Sequence, residues 1–83
     1  MRYVYDFYAD WCVPCQMMGK RLDSIDANFS NSIKRINVED SEELVNEFNI
    51  RNVPTLVFIE DGKEVKRTGV CEISIIEEFL KGE

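Results

Sequence analysis

Apolar and polar positions divide the chain into stretches of different period. Residues 2–8, Arg-Tyr-Val-Tyr-Asp-Phe-Tyr, are aromatic and β-branched with little alternation. Such a run reads as a strand covered on both faces, and therefore central in its sheet. The period then changes. Met18, Leu22, Ile25 and Phe29 recur at spacings of four, three and four, which predicts a helix over residues 13–28 with one apolar stripe. Pro14 suits its first turn, where a missing N–H costs nothing. Asn28 to Asn31 reads as a polar turn, and Ile33 to Val38 as a second strand. Strand, helix and strand in this order form a βαβ unit, which requires parallel strands. Asp40-Ser41-Glu42-Glu43 predicts a further helix start, with Asp40 as cap and Glu43 as capping-box partner. Leu44, Val45 and Phe48 give that helix a short apolar face to about residue 49. Thr55 to Ile59 is the clearest strand. Asp61-Gly62 is a hairpin signal, and Lys63 to Thr68 returns antiparallel, its charges blunting a sheet edge. Ile73, Ile76, Phe79 and Leu80 mark a last helix over residues 72–81, with Gly82 just past its end.

The chain has 83 residues, 45% of them hydrophobic and 31% charged. That length makes one domain, residues 1–83, with a small core. No linker, repeat or low-complexity tract interrupts it. The formal net charge is −6 without any block of like charge, which argues against nucleic acid or an anionic membrane surface as partner. No apolar run is long enough to span a bilayer and no leader is read before the first strand, so a cytosolic protein is expected. Structural disulfides are rare there.

The chemistry is concentrated in Trp11-Cys12-Val13-Pro14-Cys15. The pair stands where the first strand gives way to a helix. A cysteine at a helix N-terminus meets unpaired backbone N–H groups and the positive end of the helix dipole, and both favour the thiolate. The second cysteine follows about one turn later, within reach of the first. This is the minimal apparatus for thiol–disulfide exchange. The spacing also suits half of a zinc site, with Cys71 as a further ligand or a second copy of the pair supplied by a dimer. The chain contains no histidine, which excludes His-based acid–base catalysis, Cys–His nucleophile pairs and Cys–His zinc sites. Asp6 is the odd member of the first strand. A carboxylate among apolar residues is paired, protonated or functional, unless its position faces solvent.

Three segments carry a family likeness. Asp6-Phe7-Tyr8-Ala9-Asp10-Trp11-Cys12-Val13-Pro14-Cys15 resembles the active-site strand and turn of the thioredoxin superfamily. Ile50-Arg51-Asn52-Val53-Pro54-Thr55-Leu56 resembles its cis-proline loop, and Thr68-Gly69 the turn before its last helix. They occur in the family's order, and the likeness runs from residue 3 to about residue 80. The chain departs from the pattern in three places. It starts on the active-site strand, without the strand and helix that usually precede it, which leaves a core of glutaredoxin-like size. Val-Pro stands between the cysteines where Gly-Pro is commonest. Lys20 occupies the place of a helix-kinking proline. The resemblance implies a thioredoxin-like α/β fold, β-α-β-α-β-β-α, with a four-stranded mixed sheet in the order 2-1-3-4 and three flanking helices.

The resemblance also implies roles. Cys12 is the exposed nucleophile, its pKa depressed into the range of about 3.5–7.5 known for such sites. Cys15 is the less exposed resolving thiol. Asp6 matches the buried aspartate that relays a proton to the resolving thiol, and burial should raise its pKa. Arg35 falls where the family often has a lysine near that aspartate. It either opposes the rise or is simply an exposed strand residue. Trp11, Val13 and Pro14 belong to the contact surface for partner proteins, with core packing the plainer reading of Trp11. Pro54 matches the cis-proline facing the cysteines, and Val53 would offer backbone N–H and C=O to an extended substrate. Gly69 and Val70 complete an apolar rim. Cys71 is either a regulatory thiol or a small residue starting a helix. The implied activity is reduction of protein disulfides by a monomer, through a redox-active Cys12–Cys15 disulfide and no bound cofactor or metal. Electrons would come from a flavin reductase drawing on NADPH, or from glutathione. A protein-binding module with incidental thiols and a zinc-bridged dimer are the rival readings.

Overall fold

The computed structural model describes residues 1–82. Strand β1 (Arg2–Tyr8) leads into helix α1 (Val13–Asp23), a 3-10 helix (Ala27–Ser32) and β2 (Ile33–Asn37). Helix α2 (Glu42–Glu47), the hairpin β3 (Thr55–Glu60) and β4 (Lys63–Thr68), and helix α3 (Ile73–Lys81) follow. The strands form one four-stranded sheet in the order β2-β1-β3-β4. β1 runs parallel to β2 and antiparallel to β3, and β4 is antiparallel to β3. Fold class, strand order and the antiparallel edge strand are as the sequence implies.

β1 lacks alternation because both its faces are covered. Val4 lies opposite Phe58 and Asp6 opposite Leu56. On this face Val4, Leu56 and Phe58 pack with Met18 and Leu22 of α1 and Ile76 of α3. Phe58 and Phe79 meet edge to face, with ring centroids 5.1 Å apart. On the other face Phe7, Val57 and Ile59 are covered by Leu44, Val45 and Phe48 of the α2 segment. Phe48 contacts the rings of Tyr5 and Phe7, with centroids 5.5 and 6.0 Å apart. Apolar side chains on both faces thus place β1 in the middle layer of three.

Two local expectations are corrected. Helix α1 ends at Asp23, not at residue 28. The backbone N–H and the hydroxyl of Ser24 both donate to the Arg21 carbonyl, at 3.1 and 2.8 Å. The Asp26 carboxylate then accepts from Asn28 N–H at 2.9 Å and opens the 3-10 helix where a polar turn was expected. Short polar side chains that bond their own backbone compete with helix continuation. Helix α2 likewise starts from Ser41 rather than from an Asp40 cap. No side chain caps it, so the expected capping box does not form. Asp40 N–H is instead taken by the Asn37 carbonyl at 3.1 Å. Asn49, at φ 53°, ends α2 in the left-handed region. Asp61 and Gly62 both have positive φ, 53° and 83°, as a type I′ hairpin turn requires.

Candidate active site

The site grows out of the carboxyl end of β1. The chain leaves the sheet at Tyr8, turns, and enters α1 with Cys12 as its N-cap residue. Cys15 N–H points back at Cys12 Sγ, 3.2 Å away, and Gln16 N–H donates to the Cys12 carbonyl at 3.1 Å. The two sulfurs are joined in a disulfide, with their Cα atoms 5.2 Å apart. Cys12 Sγ thus lies at the N-terminal, positive end of the α1 dipole.

The expectation that Cys12 is exposed needs correction. It is only 4% accessible, against 2% for Cys15. Its sulfur is bonded to Cys15 on one side and lies 3.7 Å from the Val53 carbonyl oxygen on the other. The Val53–Pro54 peptide is cis, and Val53 packs against the cysteine pair. Gly69 approaches the same loop: a Cβ built on it would lie 3.8 Å from the Pro54 carbonyl oxygen. Val70 beside it is exposed. Val13 and Pro14 are exposed on the first turn of α1, and Trp11 is 68% accessible, which excludes core packing for it.

Trp11 and Val53 share a groove of about 500 Å³ with Val38, Val45, Ile50, Arg51 and Asn52. The α2-side wall of this groove has no signal in the sequence. Val45 reads there as part of the helix's apolar face, and nothing in its spacing says that the face ends at a groove. Val13, Pro14, Gly69 and Val70 do not line this groove.

Asp6 is fully buried, which removes the solvent-facing reading. Its Oδ2 accepts a hydrogen bond from Arg35 Nε at 3.1 Å, and its Oδ1 has no hydrogen-bond partner among the described residues. The in-register pairing of Asp6 with Arg35 on neighbouring parallel strands brings the two side chains to one face. Burial pushes the Asp6 carboxyl above the ordinary carboxylate range. The Arg35 guanidinium pulls it back without reversing the rise. Arg35 also lies over the Tyr8 ring, 4.6 Å from its centroid. Beside it a second, more polar groove of about 390 Å³ is lined by Tyr8, Asp10, Cys15, Gly19, Lys20 and Asp23 among others. Gly19 is absent from the site expected on sequence, although an isolated glycine inside a helical pattern is a signal.

Cys71 is half-buried against the cluster that contains Met18 and Ile76 and is not part of the disulfide. No group of three or more His, Cys, Asp or Glu side chains that could hold a metal ion occurs among the described residues. No helix among them is long and apolar enough to cross a membrane.

Residues 1–81 match the family model described as Thioredoxin. A thioredoxin of Mycoplasmoides gallisepticum is 34% identical over 80 residues, covering 94% of this chain and 80% of that protein. Thioredoxin-T of Drosophila melanogaster is 39% identical over 61 residues, covering 71% of this chain but only 39% of its own length. Among solved structures, oxidised mitochondrial thioredoxin 3 from Saccharomyces cerevisiae superposes with a TM-score of 0.80 at 26% identity, covering 99% of this chain and 78% of that one. A mutant thioredoxin from Halobacterium salinarum gives 0.80 at 28% identity, covering 98% and 73%.

Proposed function

The chain belongs to the thioredoxin family, and from that premise we propose that it reduces protein disulfides in the cytosol through the Cys12–Cys15 dithiol. The observation that carries this reading is the position of Cys12 Sγ. It receives Cys15 N–H at the start of α1 and faces the Val53 carbonyl across the gap.

In the reduced protein the Cys12 thiolate attacks one sulfur of a substrate disulfide. A mixed disulfide forms and the other substrate sulfur leaves as a thiolate. The Asp6 carboxylate takes the Cys15 proton, and the Cys15 thiolate attacks Cys12 Sγ. The second substrate sulfur then leaves. The substrate gains two electrons, and the protein, having given them up, holds a Cys12–Cys15 disulfide. A carboxyl raised above its ordinary range suits this proton transfer, because a base works best when its pKa approaches the working pH. The substrate segment lies extended against Val53 and Pro54, pairing with the Val53 backbone. Trp11, Val13, Pro14, Gly69 and Val70 supply apolar contact around it. An external reductant must reopen the disulfide: a flavin reductase drawing on NADPH, or glutathione. The protein acts as a monomer and binds no cofactor of its own.

Reduction of insulin disulfides with dithiothreitol as electron source tests the reading. The native protein accelerates precipitation of the insulin chains, Cys12→Ser abolishes it, and Cys15→Ser accumulates the mixed disulfide. No acceleration by the native protein, or full activity in Cys12→Ser, refutes the proposal.

A further inference from the structure

Gly19 stands in the middle of α1, buried, at a position where no positive φ calls for glycine. Alanine there would favour the helix. The environment supplies the reason for the exception. A Cβ built on Gly19 would lie 3.0 Å from Arg35 Nη2, 3.2 Å from Nη1 and 3.4 Å from Cζ. The head of the guanidinium therefore occupies the space of the missing side chain. The same group donates from Nε to Asp6 Oδ2 and lies over the Tyr8 ring. One arginine is thus held by α1 at Gly19 and by β1 at Asp6 and Tyr8.

We propose that Gly19 is a positioning residue: its bare Cα is the seat that lets the Arg35 guanidinium reach across α1 and pair with the buried Asp6 carboxylate. A side chain at position 19 pushes the guanidinium outward, where its 41% side-chain exposure leaves room to move. The Nε–Oδ2 contact, at 3.1 Å, is then lost or lengthened. Position 19 acts on the carboxylate only through Arg35. The charged and titratable groups around Asp6 are few. Arg35 comes from β2. Tyr8 of β1, and Asp10, Lys20 and Asp23 from α1 and the turn before it, line the adjoining groove, where Cys15 is held in the disulfide. From β3, Leu56 lies opposite Asp6, and α3 brings Ile76 to that face; neither carries a charge. Removing Arg35 from contact leaves no other cation bonded to the carboxylate among the described residues. In function this inference rests on Asp6 being the proton relay, but the contact itself can be tested without activity.

The test follows the Asp6 side-chain carboxyl carbon by NMR through a pH titration of the oxidised protein. The variants are Gly19→Ala, Gly19→Met, Arg35→Met and Gly19→Met combined with Arg35→Met. A close guanidinium lowers a carboxyl pKa by about one to three units, so partial displacement raises the midpoint by roughly half a unit or more. The expected order is native, then Gly19→Ala, then Gly19→Met, approaching Arg35→Met. In the double variant the change at position 19 adds nothing to Arg35→Met. Midpoints in both Gly19 variants equal to the native value overturn the proposal, as does an equal rise in the Arg35→Met background. Gly19→Ala is the smaller change and the better helix former, and it carries the test alone if the methionine variant does not fold. A shifted midpoint in a protein inactive on insulin leaves the seat standing and removes the relay reading.

Discussion

Replacing Asp6 with asparagine makes the protein more stable, and the gain depends on pH. Asp6 is fully buried, one carboxylate oxygen has no hydrogen-bond partner among the described residues, and the other meets an arginine whose side chain is 41% exposed. Burying the ionised carboxylate rather than a neutral side chain costs on the order of 1–3 kcal/mol. The ion pair offsets at most about 1 kcal/mol of this, because solvent screens a partner that exposed. Desolvation dominates, in agreement with the raised pKa. The folded chain therefore holds the Asp6 proton to higher pH than the unfolded chain does. Stability is greatest below the unfolded carboxyl pKa and falls as pH rises through the folded value. Asparagine keeps the shape and an acceptor for Arg35 Nε while removing the buried charge. The variant should match the native protein in acid, gain progressively as pH rises from the unfolded to the folded pKa of Asp6, and lead by about 1–2 kcal/mol at the plateau above it. For a domain of this size that is a Tm rise on the order of 5–15 °C. Thermal unfolding of both oxidised proteins by circular dichroism, over a series of pH values, reads the difference directly. An Asp6→Asn protein less stable than native at the plateau, or a difference that does not vary with pH, refutes the desolvation argument.

Two further outcomes follow from burial. Trp11 is 68% exposed, so Trp11→Ala should change stability by less than about 0.5 kcal/mol. It should slow insulin reduction about three- to tenfold, for an apolar contact of order 1 kcal/mol, while reaction with a small aromatic disulfide stays near native. Equal losses on both substrates would argue against Trp11 as a protein-contact surface. Ile76 is fully buried where α3 meets β1 and β3, so Ile76→Ala should lose about 2–4 kcal/mol in urea unfolding. A loss below about 1 kcal/mol would mean that α3 is not anchored there.

Local chemistry was legible in the sequence because it acts over a few residues. Aromatic and β-branched runs made strands, Asp61-Gly62 made a type I′ hairpin, and Gly82 sits at a left-handed helix end. The cysteine pair read correctly as a helix-start dithiol for the same reason: strand, cap and first turn are all encoded between Asp6 and Gln16. Errors arose where two local signals competed. The stripe from Met18 to Phe29 favoured one long helix, but Ser24 and Asp26 side chains captured backbone groups and broke it. Asp40 looked like a cap, but the Asn37 turn had already claimed its N–H.

By itself, then, the sequence determined the order of the strands and α-helices, the βαβ crossover with its antiparallel hairpin, and the reactive pair at the start of α1. These follow from periodicity and backbone chemistry within one or two elements. Tertiary structure alone decided what surrounds that pair. It covered Cys12 with Val53, forty-one residues away in the chain, and gave Asp6 one arginine and one unpaired oxygen. It opened a groove between Trp11 and α2, and it turned a mid-helix glycine into the seat of Arg35. Burial and charge pairing are set by residues that meet only when the sheet closes. The kind of reaction is therefore written locally, while the protonation that tunes it depends on packing.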